Sequence, residues 1–223
     1  MKKYLLFFIL FSFSYTLEKI EYKINMLGIP AAKCIYSITD TAIYNQPALK
    51  INYKVKTIGL YNLFFKVENS YTVIFQKDSF EILSYSKNTI QPGINNQIKT
   101  NYFNNKVSYN NGVDINSDET NIFVLLYMIS NNYFDEISNF PIIDREGKKY
   151  TYTLNLINDY YYSINLNQLS AKEFGVIEHT DVFTWGLFLP NTENTILIDS
   201  YSSLINKCVF KKGIFKMVAK RIK

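Results

Sequence analysis

The sequence predicts an all-β protein of one domain, a sandwich or barrel with a single helix. Three observations predict it. Apolar and polar residues alternate with period two in most segments, turn signals recur at intervals of roughly 8–15 residues, and only one stretch shows helical spacing. The alternation is clearest where Leu49, Ile51, Tyr53 and Val55 interleave with Lys50, Asn52, Lys54 and Lys56, which leaves one wet face. Tyr150, Tyr152, Leu154 and Leu156 repeat it around Thr151, Thr153 and Asn155.

Weaker alternation predicts further strands over 20–26, 33–39, 70–75, 80–87, 98–103 and 106–109, then over 160–166, 173–178, 184–189, 195–201 and 207–210. Gln91-Pro92-Gly93, Asn110-Asn111-Gly112, Glu146-Gly147 and Leu189-Pro190-Asn191 separate them as turns. The exception is 118–131. Ser117 is placed to cap a helix, Asp118 and Glu119 put negative charge in its first turn, and Ile122, Leu125, Leu126 and Ile129 form a stripe. Such a helix would plug the open side of a curved sheet or the end of a barrel. The stretch 138–149, with Pro141 and Gly147, reads as a long connection within one domain.

The C-terminus reads two ways. Lys212, Lys216 and Lys220 lie four apart beside Ile214, Val218 and Ile222, as in a basic membrane-surface helix. As a strand, the same residues mix charge and apolar character on both faces.

The N-terminus carries the layout of a secretory signal peptide: Lys2 and Lys3, an apolar run from Tyr4 to Phe13, then Ser12 and Ser14 at the −3 and −1 positions. The run is about half of what a membrane-spanning helix needs. A buried first strand or helix is the alternative. Cleavage after Ser14, with Thr16 as second choice, leaves 15–223 as a single β-rich domain with a net charge of about +3, too small a surplus to argue for nucleic acid. No later segment is long and apolar enough to cross a membrane as a helix.

No residue constellation argues for catalysis, a metal or a cofactor. The lone histidine, His179, has Glu178 and Asp181 beside it but no second histidine to complete a zinc set, and reads as a polar turn. Asn110, Asn111, Asp114, Asn116 and Asp118 do not follow the order of a calcium loop. The 37 aromatics are spread evenly, as strand packing and an AT-rich codon usage would leave them, rather than concentrated in a sugar- or lipid-binding face. Cys34 and Cys208 are a candidate disulfide. An oxidising compartment would favour the bond if early and late strands become neighbours, and two buried free thiols are the alternative.

The order of segments resembles a family of exported bacterial proteins catalogued as domain of unknown function three-one-zero-eight. The opening Tyr22-Lys-Ile-Asn-Met-Leu-Gly28-Ile-Pro-Ala-Ala, the block Leu63-Phe-Phe-Lys-Val-Glu-Asn-Ser-Tyr-Thr-Val-Ile, Phe80–Lys87, Tyr102-Phe103 with Lys106-Val107, Trp185–Pro190 and Gly213–Ile222 carry the likeness. The family's helix often reads Asp, Ser, Tyr, Arg at three-residue steps. The matching positions here are Asn121, Val124, Tyr127 and Ser130, so only the tyrosine is kept. The resemblance implies a strongly curved antiparallel sheet or open barrel wrapped around one helix, similar in outline to periplasmic lipoprotein carriers, and a strand at the C-terminus. It implies no activity. The expectation is a non-enzymatic exported module for a lipid or other apolar ligand, with an envelope assembly factor binding protein or glycan as the alternative.

Overall fold

The computed structural model describes residues 19–103, 106–109, 114–116, 119–145, 148–158, 160–168, 192–199 and 201–222. Strands dominate them, and all 14 belong to one antiparallel sheet. β1 (Lys19–Met26), β2 (Ile29–Ile43), β3 (Gln46–Thr57), β4 (Glu68–Gln76), β5 (Ile82–Gln91), β6 (Ile94–Phe103), β7 (Lys106–Tyr109) and β8 (Asp114–Asn116) run outward from the middle of the sheet as a meander. β9 (Ile142–Arg145), β10 (Lys148–Asn158), β11 (Tyr161–Gln168), β12 (Glu193–Asp199), β13 (Leu204–Lys212) and β14 (Phe215–Arg221) return inward. β1 and β14 pair at the centre, Tyr22 opposite Arg221 and Met26 opposite Met217. The two edges, β8 and β9, do not pair among the described residues, so the sheet stays open there.

Alternation sets which face is inward. Along β4 every second residue is buried, from Asn69 through Tyr71 and Val73 to Phe75. Register then aligns inward side chains across strands: Ile20, Tyr36, half-buried Tyr53 and Tyr71 form one row over β1–β4, with Lys87 and Ile98 continuing it on β5 and β6. Tight turns keep that register. Leu27 and Gly28 both take left-handed backbone (φ 52° and 85°), the two-residue hairpin turn that matches strand twist. Pro92-Gly93, with Gly93 at φ 76°, joins β5 to β6.

The chain passes from one sheet edge to the other through two helices, α2 (Ile122–Ser130) and α3 (Phe134–Ile137), while a further short helix, α1 (Gly59–Phe64), lies between β3 and β4. α2 sits on the concave face. Every residue of it except Tyr127 is buried, so it is core all round rather than striped. Phe123 packs its ring 5.0 Å from Tyr53 and 5.3 Å from Tyr71, and Tyr127 lies 5.3 Å from Phe75. One apolar cluster joins α2 to residues of β1–β5 and β9–β13, which a flat sheet could not bring together. This is the curved sheet around a helix that the sequence reading implied.

Four expectations need correction. The helix begins at Ile122, not 118. Its cap is Asn121, whose Oδ1 accepts from Phe123 N and Val124 N at 3.0 Å each, and its first turn holds no acid. Ser117 and Asp118 lie outside the described residues, while Glu119 pairs with Lys149 and Thr120 bridges Ile143 of β9. Those contacts hold the chain extended up to the cap. Second, 138–149 is more than a connection, since it contains β9 and the start of β10. Third, helix content is not confined to α2. Fourth, the candidate disulfide between Cys34 and Cys208 is not formed. Both thiols are free and buried, on β2 and β13, with β1 and β14 between them. Three strand spacings are roughly 14 Å along a sheet, against about 5.5–6 Å between the Cα atoms of a bonded pair.

The ambiguous C-terminus is a strand. β14 is hydrogen-bonded on both sides, with Cys208 opposite Ala219 and Asn25 opposite Val218. The segments 1–18 and 173–189, which include the candidate signal peptide, His179, Glu178, Asp181 and Trp185, lie outside the described residues.

Candidate functional site

Four tyrosines converge where α2 meets the middle of the sheet. Tyr22 of β1, Tyr36 of β2, Tyr53 of β3 and Tyr127 of α2 line a cleft together with Leu126, Ser130, Leu204 and Ile205. The convergence follows from register. Tyr36 stands directly opposite Tyr53 on β2 and β3, with ring centroids 5.0 Å apart, and Tyr22 opposes Cys34 one row along. The Tyr22 hydroxyl donates to Ile205 O at 2.8 Å, tying the first strand to β13 across β14.

The cleft encloses about 250 Å³ of empty space, part of it open to solvent, and its inner part has room for about one water molecule.

Burial dominates the titration of the groups around the cleft. It pushes the phenols of Tyr22 and Tyr53 well above their ordinary range, that of Tyr127 up to about 12, and the thiols of Cys34 and Cys208 to about 12 each. At neutral pH the phenols of Tyr22, Tyr53 and Tyr127 and the two nearby thiols are therefore neutral, and the tyrosines offer the cleft hydrogen bonds and apolar surface.

A second inward region is polar. Lys87 is 1 % exposed, and Asn69, Thr89, Gln91 and Thr100 are buried near it on β4, β5 and β6. Asn69 Nδ2 donates to the Tyr71 hydroxyl at 3.1 Å, and its Oδ1 accepts from Ile90 N at 3.2 Å. The sequence reading missed this cluster. Lys87 ends a weak alternation in which nothing marks it as inward, and only the register opposite Tyr71 and Ile98 shows it.

Of the four helix positions compared with that pattern, Asn121 caps α2, Tyr127 lines the cleft and Ser130 Oγ donates to Tyr127 O at 2.9 Å, while Val124 is buried and apolar. Of the residues weighed as calcium ligands, Asp114 and Asn116 lie on β8 and the others lie outside the described residues. Among the described residues no three His, Cys, Asp or Glu side chains gather in the manner of a metal site.

Fold and cleft together define an all-β protein built on one open, curved antiparallel sheet. No protein-family model matches the chain, the family numbered three-one-zero-eight included, and no curated protein matches it either. Its fold is similar to the crystal structure of a beta-barrel-like protein of domain of unknown function DUF1849 from Brucella abortus, with a TM-score of 0.50 over 92% of this chain and 95% of that one. Sequence identity is 6%, so the likeness is one of fold.

Proposed function

We propose that this protein is an exported, non-enzymatic binding module whose concave face takes an apolar ligand such as an acyl chain. The observation that carries the reading is α2 itself. A helix apolar on nearly every side occupies an aromatic-lined concavity, and the cleft at its Tyr127 side marks where that packing is incomplete. A ligand would enter there as α2 shifts, exchanging contacts with Leu126 and Tyr127 for contacts with the ligand. Small apolar ligands bind in such concave, mostly apolar sites with a few polar anchors, here the tyrosine hydroxyls and Ser130. The basic start, apolar run and small-residue site of 2–14 support export.

The test is native mass spectrometry of the protein purified from its own host, with Leu126→Trp, which fills the cleft, alongside. The expected result is a bound lipid mass on the parent chain that is reduced in the variant. A bare chain, or a stable protein partner in place of lipid, overturns the reading and favours an assembly factor.

A further inference from the structure

Three protrusions share one rim of the sheet. The β1–β2 turn carries Leu27 and Ile29, the β13–β14 turn carries Ile214 and Phe215, and α1 carries Leu60, Leu63 and Phe64. All are exposed, Leu63 by 77 %, Phe64 by 83 % and Ile214 by 87 %. The protrusions are neighbours. Leu27 N donates to Lys216 O at 3.0 Å, which joins the first two, and Ile58 N donates to Ala31 O at 2.9 Å, which seats the start of α1 beside β2. Thr57 Oγ1 accepts from Val67 N at 2.9 Å and lies 3.2 Å from Asn62 Oδ1, closing the base of α1.

A soluble protein rarely exposes so many large apolar side chains on adjoining tips without a surface to meet them. Charge narrows what that surface is. Residues 27–29, 58–67 and 211–216 contain four lysines (Lys66, Lys211, Lys212 and Lys216), all exposed, and no acid, while Glu193 of β12 stands opposite Lys211. Glu68, next along the chain, is 4.0 Å from Lys56. The opposite rim also exposes apolar residues, Tyr44, Leu156 and Tyr201 among them, but it carries Asp40, Asp78, Glu81 and Asp199 as well. Phe and Leu on separate tips, ringed by lysine, suit a headgroup layer that yields around each side chain and carries negative charge.

We propose that this rim seats on an anionic phospholipid surface, Leu63, Phe64 and Ile214 entering the headgroup region while Lys66, Lys212 and Lys216 meet lipid phosphates. The contact is separate from the concave face and stands whether or not that face takes a ligand.

Sedimentation of the full chain with vesicles tests it, using phosphatidylglycerol–phosphatidylethanolamine against pure phosphatidylcholine. Binding is expected on the anionic vesicles and is expected to weaken as salt rises. Leu63→Ser with Phe64→Ser should reduce it on the order of tenfold, Ile214→Ser less, and Lys212→Glu with Lys216→Glu about fivefold or more per lysine. These positions are exposed, so melting temperatures should match the parent. Because Tyr4–Phe13 is present in every variant, the differences between variants carry the result. Equal binding by parent and variants overturns the proposal. So does equal binding to both vesicle types, or self-association of the chain that Phe64→Ser abolishes without any vesicle binding.

Discussion

α1 and α2 are made of similar residues and meet opposite fates. α1, Gly-Leu-Tyr-Asn-Leu-Phe, buries none of its side chains and has no side-chain cap. α2, Ile-Phe-Val-Leu-Leu-Tyr-Met-Ile-Ser, buries all but Tyr127, is capped by Asn121, and ends in Asn132 at φ 62°. There Tyr133 N bonds Met128 O and Asn132 N bonds Ile129 O, the paired closure of a Schellman end. Apolar content alone does not say whether a helix is core or contact surface. Connection does: α2 bridges the two edges of a curved sheet and must cross its concave side, whereas α1 caps the rim between adjacent strands.

The largest effect that would break this contrast is at Leu125, 0 % exposed in the middle of α2. Leu125→Asp buries an unpaired charge and should cost on the order of 3–5 kcal/mol, read from chemical denaturation. A variant as stable as the parent would mean that α2 does not pack in the concavity.

Much of this arrangement was legible in the residues. Alternation marks β3 and β10 because one side of each faces water, and the two-residue turn at Leu27-Gly28 follows its own chemistry. β9 was not legible. Ile142-Ile143-Asp144-Arg145 does not alternate, and it is a strand because β10 pairs with it. The helix start was misplaced for a related reason. Local charge favours 117–119, but Glu119 and Thr120 are claimed by Lys149 and Ile143, which are far along the chain. The tyrosine cleft was half legible: each tyrosine lies on a recognised strand or helix, but their meeting depends on register across five elements.

Alkaline pH should loosen the α2 side. Cys34 and Cys208 are held up to about 12 in the fold against 9.0 for a free thiol, and Tyr127 to about 12 against 10.0 for a free phenol, each chiefly by burial. The folded state keeps these protons when the unfolded chain has lost them. The stability linked to them is therefore complete below about pH 9 and falls as pH rises towards 12. Denaturation midpoints that decline over that window, less steeply with both cysteines replaced by alanine, are expected. A flat profile contradicts the burial. Unfolding without reductant should also release two titratable thiols per chain, and none would mean the bond forms after all.

A smaller effect probes how α2 begins. Asn121→Ala removes both cap bonds and should cost about 1 kcal/mol, while Asn121→Ser retains an acceptor and should recover most of it. If alanine and serine behave alike, the extended run through Glu119 and Thr120, rather than the cap, fixes the start.

The smallest effect, at Phe64, is sharpest when set against a large one at Phe123, because the pair uses one residue type in both helices. Phe123 touches the rings of Tyr53, Tyr71 and Tyr85, and replacing it by alanine should cost on the order of 3–5 kcal/mol through lost burial and the cavity left behind. Phe64 is 83 % exposed, and its truncation removes a ring that mostly meets water, so Phe64→Ala should fall within about 0.5 kcal/mol of the parent. Chemical denaturation of the two variants side by side decides it. A cost of 2 kcal/mol or more at Phe64 would mean that α1 packs against the protein itself, and its apolar face would then be core and not a surface held out for a partner.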